Sequence, residues 1–280
     1  MLTVAKVTIG EAARRRILWV LAVLAVLAVG VTAWGVSTLV SEARHRNLGD
    51  LEIRFAVSQV LIFIAFMFGF VLVMTAAFFG SPAIATDLES GIAQSMLARP
   101  LRRSSYLIGR WLGLAGVIVA YAVIAGLLAI YAVGAVSGYT PADPITPILY
   151  LSGQALVLLS LTVLLSTRLP PIAGGAIAVV AYGLAWMAGV LGKVGLALGT
   201  TALVSVSDAV HVLLPTDAMW QGVVYGLEPP LVRAIVGDTF AAQSPFFADA
   251  PPPLAIVAWS AIWVVLVLTL AVSQLRRREL

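Results

Sequence analysis

Long apolar runs without charge alternate with short charged stretches along the whole chain. Five such runs lie at 17–40, 55–86, 111–142, 144–167 and 169–192, and the stretch from Ala250 to Arg276 encloses the sixth. About 20 helical residues cross the ~30 Å hydrocarbon core of a bilayer, and lipid offers no hydrogen-bond partner to an unpaired backbone. The pattern therefore predicts an all-α integral membrane protein, a single domain with transmembrane helices at 17–40, 55–79, 111–138, 147–167, 170–191 and 253–275.

The composition supports this class and excludes several chemistries. Apolar residues make up 61% of the 280 positions, charged residues make up 11%, and the chain has two histidines and no cysteine. Disulfides, cysteine-based metal sites and thiol nucleophiles are therefore excluded. The high sequence pI of about 9.7 would suit nucleic acid, but in a membrane protein it more often reflects basic residues at the cytoplasmic surface.

The basic residues fall mostly on one side of the predicted bundle. Twelve of the 17 Lys and Arg residues lie in alternate polar stretches with only four acids, so that side carries +8, whereas the other side carries −4. The excess predicts a multi-pass protein of the cytoplasmic membrane with both termini and residues 80–110 in the cytoplasm. Residues 1–16 are predicted to form an interfacial helix, with a frayed basic tail as the alternative.

Residues 193–250 are long for a loop and unusually apolar, and their aromatic residues are predicted to lie at the membrane interface: Trp220, Tyr225, Phe240, Phe246 and Phe247. Short re-entrant or interfacial helices are expected there, acting either as an outer gate or as an amphipathic cap. Two glycine pairs, Gly109/Gly113 and Gly134/Gly138, predict close helix contacts. Ser81 and Thr146 each precede a proline and are predicted to cap a helix.

Sequence signatures of catalysis are missing. The chain contains no GxxxxGK[ST], HExxH or GxSxG motif, so it is expected to be no enzyme and to hold no catalytic, cofactor or metal site. Asp87 and Glu89 lie two positions apart on a helix, do not face each other, and are interpreted as a solvated face. Three hypotheses remain: a transport subunit driven by a partner, a passive channel or structural anchor, and an intramembrane enzyme acting on lipid or peptide.

The charged stretch between the second and third spans has the pattern of an amphipathic helix. Ile84, Leu88, Ile92 and Met96 recur every four residues and form an apolar stripe, and Pro100 ends the helix. The segment 81–105 is therefore predicted to form a cytoplasmic surface helix that either docks on a partner or packs at the interface.

The same stretch carries a recognisable motif. Glu89 and Gly91, then Pro100 and Arg103, then Gly109, follow the spacing of the cytoplasmic signature of ABC-2 type export permeases. The chain resembles this family, loosely the branch with the nitrous-oxide-reductase maturation permease. It departs from the pattern at Ile92, where threonine is usual, and at Arg110, where lysine is usual.

The resemblance implies a half-transporter. Two permease copies, identical or related, would pair in the lipid bilayer above a dimer of separately encoded ABC ATPase subunits that bind the ATP. No nucleic acid would take part. The uncharged spans, apart from the resemblance, favour a hydrophobic or amphipathic cargo. The loop would be the coupling helix that receives force from the ATPase, with contacts from Leu88, Glu89, Gly91, Ile92, Met96, Arg99, Pro100, Arg102 and Arg103.

Overall fold

The computed structural model describes residues 1–14, 16–90, 102–236 and 244–277. This part of the chain is helical throughout its regular structure and contains no strand. Its eleven helices are α1 (Leu2–Arg14), α2 (Arg16–His45), α3 (Asp50–Gly80), α4 (Pro82–Glu89), α5 (Arg103–Ser137), α6 (Ile145–Ser166), α7 (Pro171–Leu198), α8 (Thr201–Leu213), α9 (Thr216–Leu227), α10 (Pro230–Val236) and α11 (Leu254–Arg276).

Six helical stretches in the described residues are long and apolar enough to cross a membrane: Ala22–His45, Asp50–Glu89, Arg103–Ser137, Ile145–Ser166, Pro171–Leu198 and Leu254–Arg276. The all-α membrane fold with six spans is thereby confirmed. Several helices extend beyond the ends of the spans that the uncharged runs predicted. The third span starts at Arg103 rather than near 111, because a polar end that reaches water can stay helical. Charged residues therefore mark the apolar length of a span but not its helical length.

Helix α6 occupies the centre of the bundle and α2 its edge. In the most apolar stretch of α6, 61% of residues are buried, against 22% in α2. Helix α6 packs against α3, α5, α7, α9 and α11, whereas α2 packs mainly against α5 and α3. Leu158, Leu159 and Val163 of α6 lie fully inside the largest cluster of buried apolar side chains. Side chains of α2 therefore remain largely exposed, and α2 is the least buried of the six spans.

The two glycine pairs serve different purposes. A Cβ on Gly109 would lie 2.7 Å from Cβ of Val4, and a Cβ on Gly113 would lie 2.6 Å from Cβ of Thr8, so α1 and α5 touch through this pair as predicted. The prediction for Gly134/Gly138 was wrong. Gly138 adopts a left-handed conformation with φ of 72° and ends α5, and its N–H bonds to the carbonyl of Gly134.

Both predicted hydroxyl caps were wrong as well. Ser81 is itself helical, and its buried hydroxyl donates to the carbonyl of Pro171 instead of to its own helix. At the start of α6, Asp143 caps the helix by accepting from the backbone N–H groups of Ile145 (3.0 Å) and Thr146 (3.3 Å). In both places another hydrogen bond formed instead of the hydroxyl cap that the sequence pattern favoured.

Much of the segment 193–250 lies inside the bundle rather than at its surface. Helix α8 folds back on α7, and α9 packs against α6, α7 and α3. Trp220 on α9 is 1% exposed, and its indole N–H donates to the carbonyl of Pro245 at 3.0 Å. Phe247 is also buried. The interfacial placement predicted for these two aromatics was wrong, and Phe240 lies outside the described residues.

Candidate functional site at the basic end of the bundle

One end of the bundle gathers α1, α4 and the start of α5 with the end of α11. Arg103, at the start of α5, donates to the carbonyls of Leu275 (3.0 Å) and Arg276 (2.9 Å). The hydroxyl of Thr167 donates to Gln274 at 2.8 Å, which joins the α6–α7 turn to the same end of α11. We call this the basic end, because these elements carry Lys6, Arg102, Arg103, Arg110, Arg168, Arg276 and Arg277.

A buried carboxylate links three helices at the basic end. Asp87 on α4 accepts hydrogen bonds from the hydroxyl of Tyr106 and from the guanidinium of Arg110, both on α5. Arg110 also pairs with Glu11 on α1. The side chains of Asp87 and Arg110 are only 10% and 14% exposed. We call these four residues the Asp87 cluster, and they hold α1, α4 and α5 together.

The interpretation of Asp87 as part of a solvated face was therefore wrong. Helix α4 continues the line of α3, so Asp87 faces α5 rather than water. A carboxylate loses hydration on burial and stays charged only where opposite charge and hydrogen-bond donors replace the lost water. Tyr106 and Arg110 supply both, since residues four apart lie on one face of α5. The spacing of Tyr106 and Arg110 is visible in the sequence, but it does not show that their shared face meets Asp87.

A polar cleft of about 240 Å³ adjoins the Asp87 cluster. Its walls come from α1, α3, α4 and α5, and its polar lining residues are Thr8, Glu11, Thr86, Asp87 and Arg110. The polar cleft therefore lies directly beside the Asp87 cluster, which holds α1, α4 and α5 together.

The predicted coupling residues fall into two groups. Gly91, Ile92, Met96, Arg99 and Pro100 lie outside the described residues. Among the others, Leu88 packs against the main apolar core, Arg103 binds the end of α11, and Glu89 and Arg102 are exposed. Ile84, the first residue of the apolar stripe, is fully buried. The start of the stripe thus faces the protein's own bundle, and the coupling role of all nine residues stays a prediction.

The opposite end of the bundle is covered by residues 244–249. Lys193 on α7 donates to the carbonyl of Phe247 at 2.7 Å, and Trp220 binds Pro245 as described above. The ring of Phe246 packs edge-on against that of Phe66 on α3, with 5.4 Å between centroids. Side chains from α3, α7 and α9 therefore hold this segment across the helix ends.

A second buried carboxylate lies beneath that segment. Glu228, at the end of α9, is 3% exposed and accepts from the amide of Gln59 and the backbone N–H of Ala248, each at 3.4 Å. Burial raises the pKa of Glu228 from an ordinary value of 4.5 to about 7, although these two bonds and the charges of Arg233 and Lys193 favour the ionised form. Glu228 therefore changes charge near neutral pH.

We expect the stability of the protein to fall as pH rises from about 4.5 to about 7. In that window the folded state keeps a proton on Glu228 that the unfolded chain releases, so rising pH favours unfolding. Thermal unfolding of the purified protein at pH 5 and pH 8 measures the effect, at most about 3 kcal/mol. Glu228→Gln should flatten the profile, whereas Glu42→Gln at an exposed site should leave it unchanged. An equal slope in Glu228→Gln would contradict the assignment.

Within the described residues, His, Cys, Asp and Glu form no group of three or more that could hold a metal ion. Two such residues do meet away from the Asp87 cluster, where a ring nitrogen of His211 lies 2.9 Å from a carboxylate oxygen of Asp217. The carboxylate of Asp217 sits against Gly189, where a Cβ would come within 2.2 Å of it. This pair serves to hold the start of α9 between α7 and α8.

Comparison with known sequence families bears directly on these features. Over residues 2–280 the chain matches the family described as ABC-2 family transporter protein. The chain belongs to the ABC-2 transporter family. The resemblance recognised in residues 89–110 is thereby confirmed, and the protein is a permease, the membrane-spanning subunit of an ABC transporter. No curated protein sequence matches the chain. In this ABC-2 permease the Asp87 cluster adjoins the segment that carries the family motif.

Proposed function

We propose that this permease is the membrane half of an ATP-driven exporter in the cytoplasmic membrane. Two copies, or one copy and a related chain, pair above two separately encoded ATPase subunits. The basic end faces the cytoplasm, since arginine and lysine concentrate there. The sequence lacks a Walker A motif, so ATP hydrolysis falls to the partner. The uncharged spans favour a hydrophobic or amphipathic cargo.

The observation that carries this proposal is the Asp87 cluster. Residues 90–102, which contain the motif positions Gly91 and Pro100, lie between α4 and α5 in the chain. The Asp87–Arg110 pair, with one member on either side of this segment, binds those two helices to each other. A push on the segment therefore moves α4 and α5 together. Glu11 adds α1 to the same unit. The bundle receives one concerted displacement instead of a local distortion of a loop.

A continuous path carries that displacement to the other end. Helices α3 and α4 form one span, Asp50–Glu89, and Ser81 between them keeps helical backbone angles. At 1.5 Å per residue the span is roughly 60 Å long. Its far half bears Gln59, which binds Glu228, and Phe66, which packs on Phe246. Movement of α4 would therefore loosen residues 244–249, which we propose act as the outer gate.

The coupling step is tested by exposed substitutions at the basic end. Glu89→Ala and Arg102→Glu are expected to lower ATPase stimulation and transport by about tenfold each, because they remove contacts to the ATPase without disturbing the core. The measurement uses the permease reconstituted in vesicles with its ATPase. Asp208→Ala, at an exposed site on α8, is the matched control and should keep wild-type coupling.

Two results would count against the proposal. Unchanged ATPase stimulation in both variants would remove Glu89 and Arg102 from the contact with the ATPase. Cargo movement that proceeds at the same rate without ATP would favour the passive channel. In each experiment, membrane insertion is checked by the amount of monodisperse protein recovered, so that loss of coupling is separated from loss of protein.

A further inference from the structure

An apolar cavity of about 520 Å³ lies between α2, α3, α5 and α6. Its walls come from residues 24–32 of α2, 61–71 of α3, 121–130 of α5 and 147–151 of α6. All four stretches belong to membrane spans. Leu227, at the end of α9, bounds the cavity on the side away from the basic end. The cavity is thus at the depth of the lipid hydrocarbon and inside a single copy of the chain.

Water is a poor occupant of this space. A buried water needs two to four polar partners, and among the described residues only Thr32 and Tyr121 bring hydroxyl groups to the lining. The hydroxyl of Thr32 already donates to the carbonyl of Ala28 at 2.6 Å, and the ring of Tyr121 packs against Phe68. The remaining lining is aliphatic or aromatic, apart from Gly126 and Pro147. The cavity chemistry therefore selects an apolar occupant.

An empty cavity is also unfavourable. Side chains that line a void lose van der Waals contacts on one side, and the cost grows with the volume of the void. The α2 wall also leaves an entrance, because Leu27 and Val31 are 58% and 66% exposed and α2 is the least buried span. Lipid chains are the apolar material present at this depth. The volume of the cavity, its apolar lining, its depth in the membrane and its opening beside α2 therefore all favour a lipid acyl chain as the occupant.

We propose that this cavity is a binding site for one acyl chain of a membrane lipid, resident between α2 and the α3–α5–α6 wall. The acyl chain packs against apolar side chains of α2 that do not contact a neighbouring helix. It thereby fixes the position of α2 against α3, the span that joins the Asp87 cluster to Gln59. This site lies within one copy of the permease and does not depend on which cargo is exported.

The test uses the full-length permease in phosphatidylcholine vesicles doped with a phosphatidylcholine that carries a photoreactive diazirine in its acyl chain. After illumination, adducts are located by peptide mass spectrometry. We expect residues 24–32 and 61–71 to carry more adducts than Val265 and Leu270, which are exposed on α11. Equal labelling at both places would overturn the proposal, because ordinary boundary lipid labels all exposed apolar residues alike.

Variants that fill the cavity make the test specific. Ala28 lines the cavity and is exposed, so Ala28→Phe is expected to lower cavity adducts by about tenfold while adducts on α11 persist. Ala129→Phe enters the same space from α5 and should act alike. Val26→Phe, at an exposed site of α2 outside the lining, is the matched control. Cavity labelling that survives both filling variants would overturn the proposal.

Two other occupants are distinguished by the same label. If a second copy of the chain fills the cavity, labelling of residues 24–32 should rise strongly when the permease is diluted to one copy per vesicle, and that result would overturn the proposal. If the labelled lipid is cargo, adducts should disappear during ATP turnover with the ATPase present, which would also overturn a resident chain. Labelling that is unchanged by dilution and by ATP supports it.

Discussion

Replacing Arg110 with alanine is expected to destabilise the permease by about 3–5 kcal/mol, the typical cost of breaking a buried ion pair from one side. Asp87 would stay buried with a single donor, Tyr106, and Glu11 would lose its link to α5. Denaturant unfolding of the purified protein measures the loss. We also expect transport to be abolished, since α1, α4 and α5 would no longer move together.

A second substitution separates the cost of leaving the Asp87 charge unpaired from the cost of losing the link between the helices. Asp87→Asn in the Arg110→Ala background removes the unpaired charge, so the double variant should recover part of the lost stability, because a neutral amide is far cheaper to bury than a carboxylate. Coupling should stay low, since the link between the helices is still missing. Wild-type stability of the Arg110→Ala variant would contradict the burial of the Asp87–Arg110 ion pair between α4 and α5.

Gly113→Leu is expected to detach α1 from α5. A Cβ at this position would lie 2.6 Å from Cβ of Thr8 and 2.9 Å from the carbonyl of Ala5, and that carbonyl belongs to the backbone and cannot turn away. Overpacking of this kind costs about 1–3 kcal/mol, and undocking of the terminal helix relieves it. Gly116→Leu is the matched control, since its Cβ meets only Cδ1 of Ile9, at 4.0 Å.

The natural absence of cysteine makes this change measurable. In an Ala5→Cys background the thiol is buried beneath α5, because Ala5 is 8% exposed. Gly113→Leu should raise the rate of maleimide labelling by at least about tenfold, and Gly116→Leu should not. A thiol at Ala178, fully buried on α7, should stay protected in every variant. Labelling at both thiols would indicate general unfolding and contradict local undocking.

The signature recognised in the sequence led to the correct family but only partly to the site. Leu88 was expected among the contacts to the ATPase, but it is partly buried against the permease's own core, and Ile84 at the start of the apolar stripe is fully buried in that core. Helical spacing shows which residues share a face but does not show what that face meets. Asp87 illustrates the same limit, because its partners lie 19 and 23 residues further along the chain, on a different helix.

Trp220 and Glu228 show a second limit. Aromatic residues and an acid in a segment between spans are typical of a membrane surface, but α9 inserts between α3, α6 and α7 and buries both. Short helices of 12 residues do not cross a bilayer, so composition alone leaves their depth open. Only contacts with longer helices determine it.

The sequence by itself determined the six spans, the asymmetry of charge and the family motif. These properties are local, because a helix in lipid satisfies its own backbone and is selected by the composition of about 20 consecutive residues. Tertiary structure alone decided that Asp87 and Glu228 are buried, that Gly113 lies under α1, and that an apolar cavity opens beside α2. Each of these features depends on which helices pack against each other. That packing is determined by contacts between segments far apart in the chain, which no single stretch of sequence reveals.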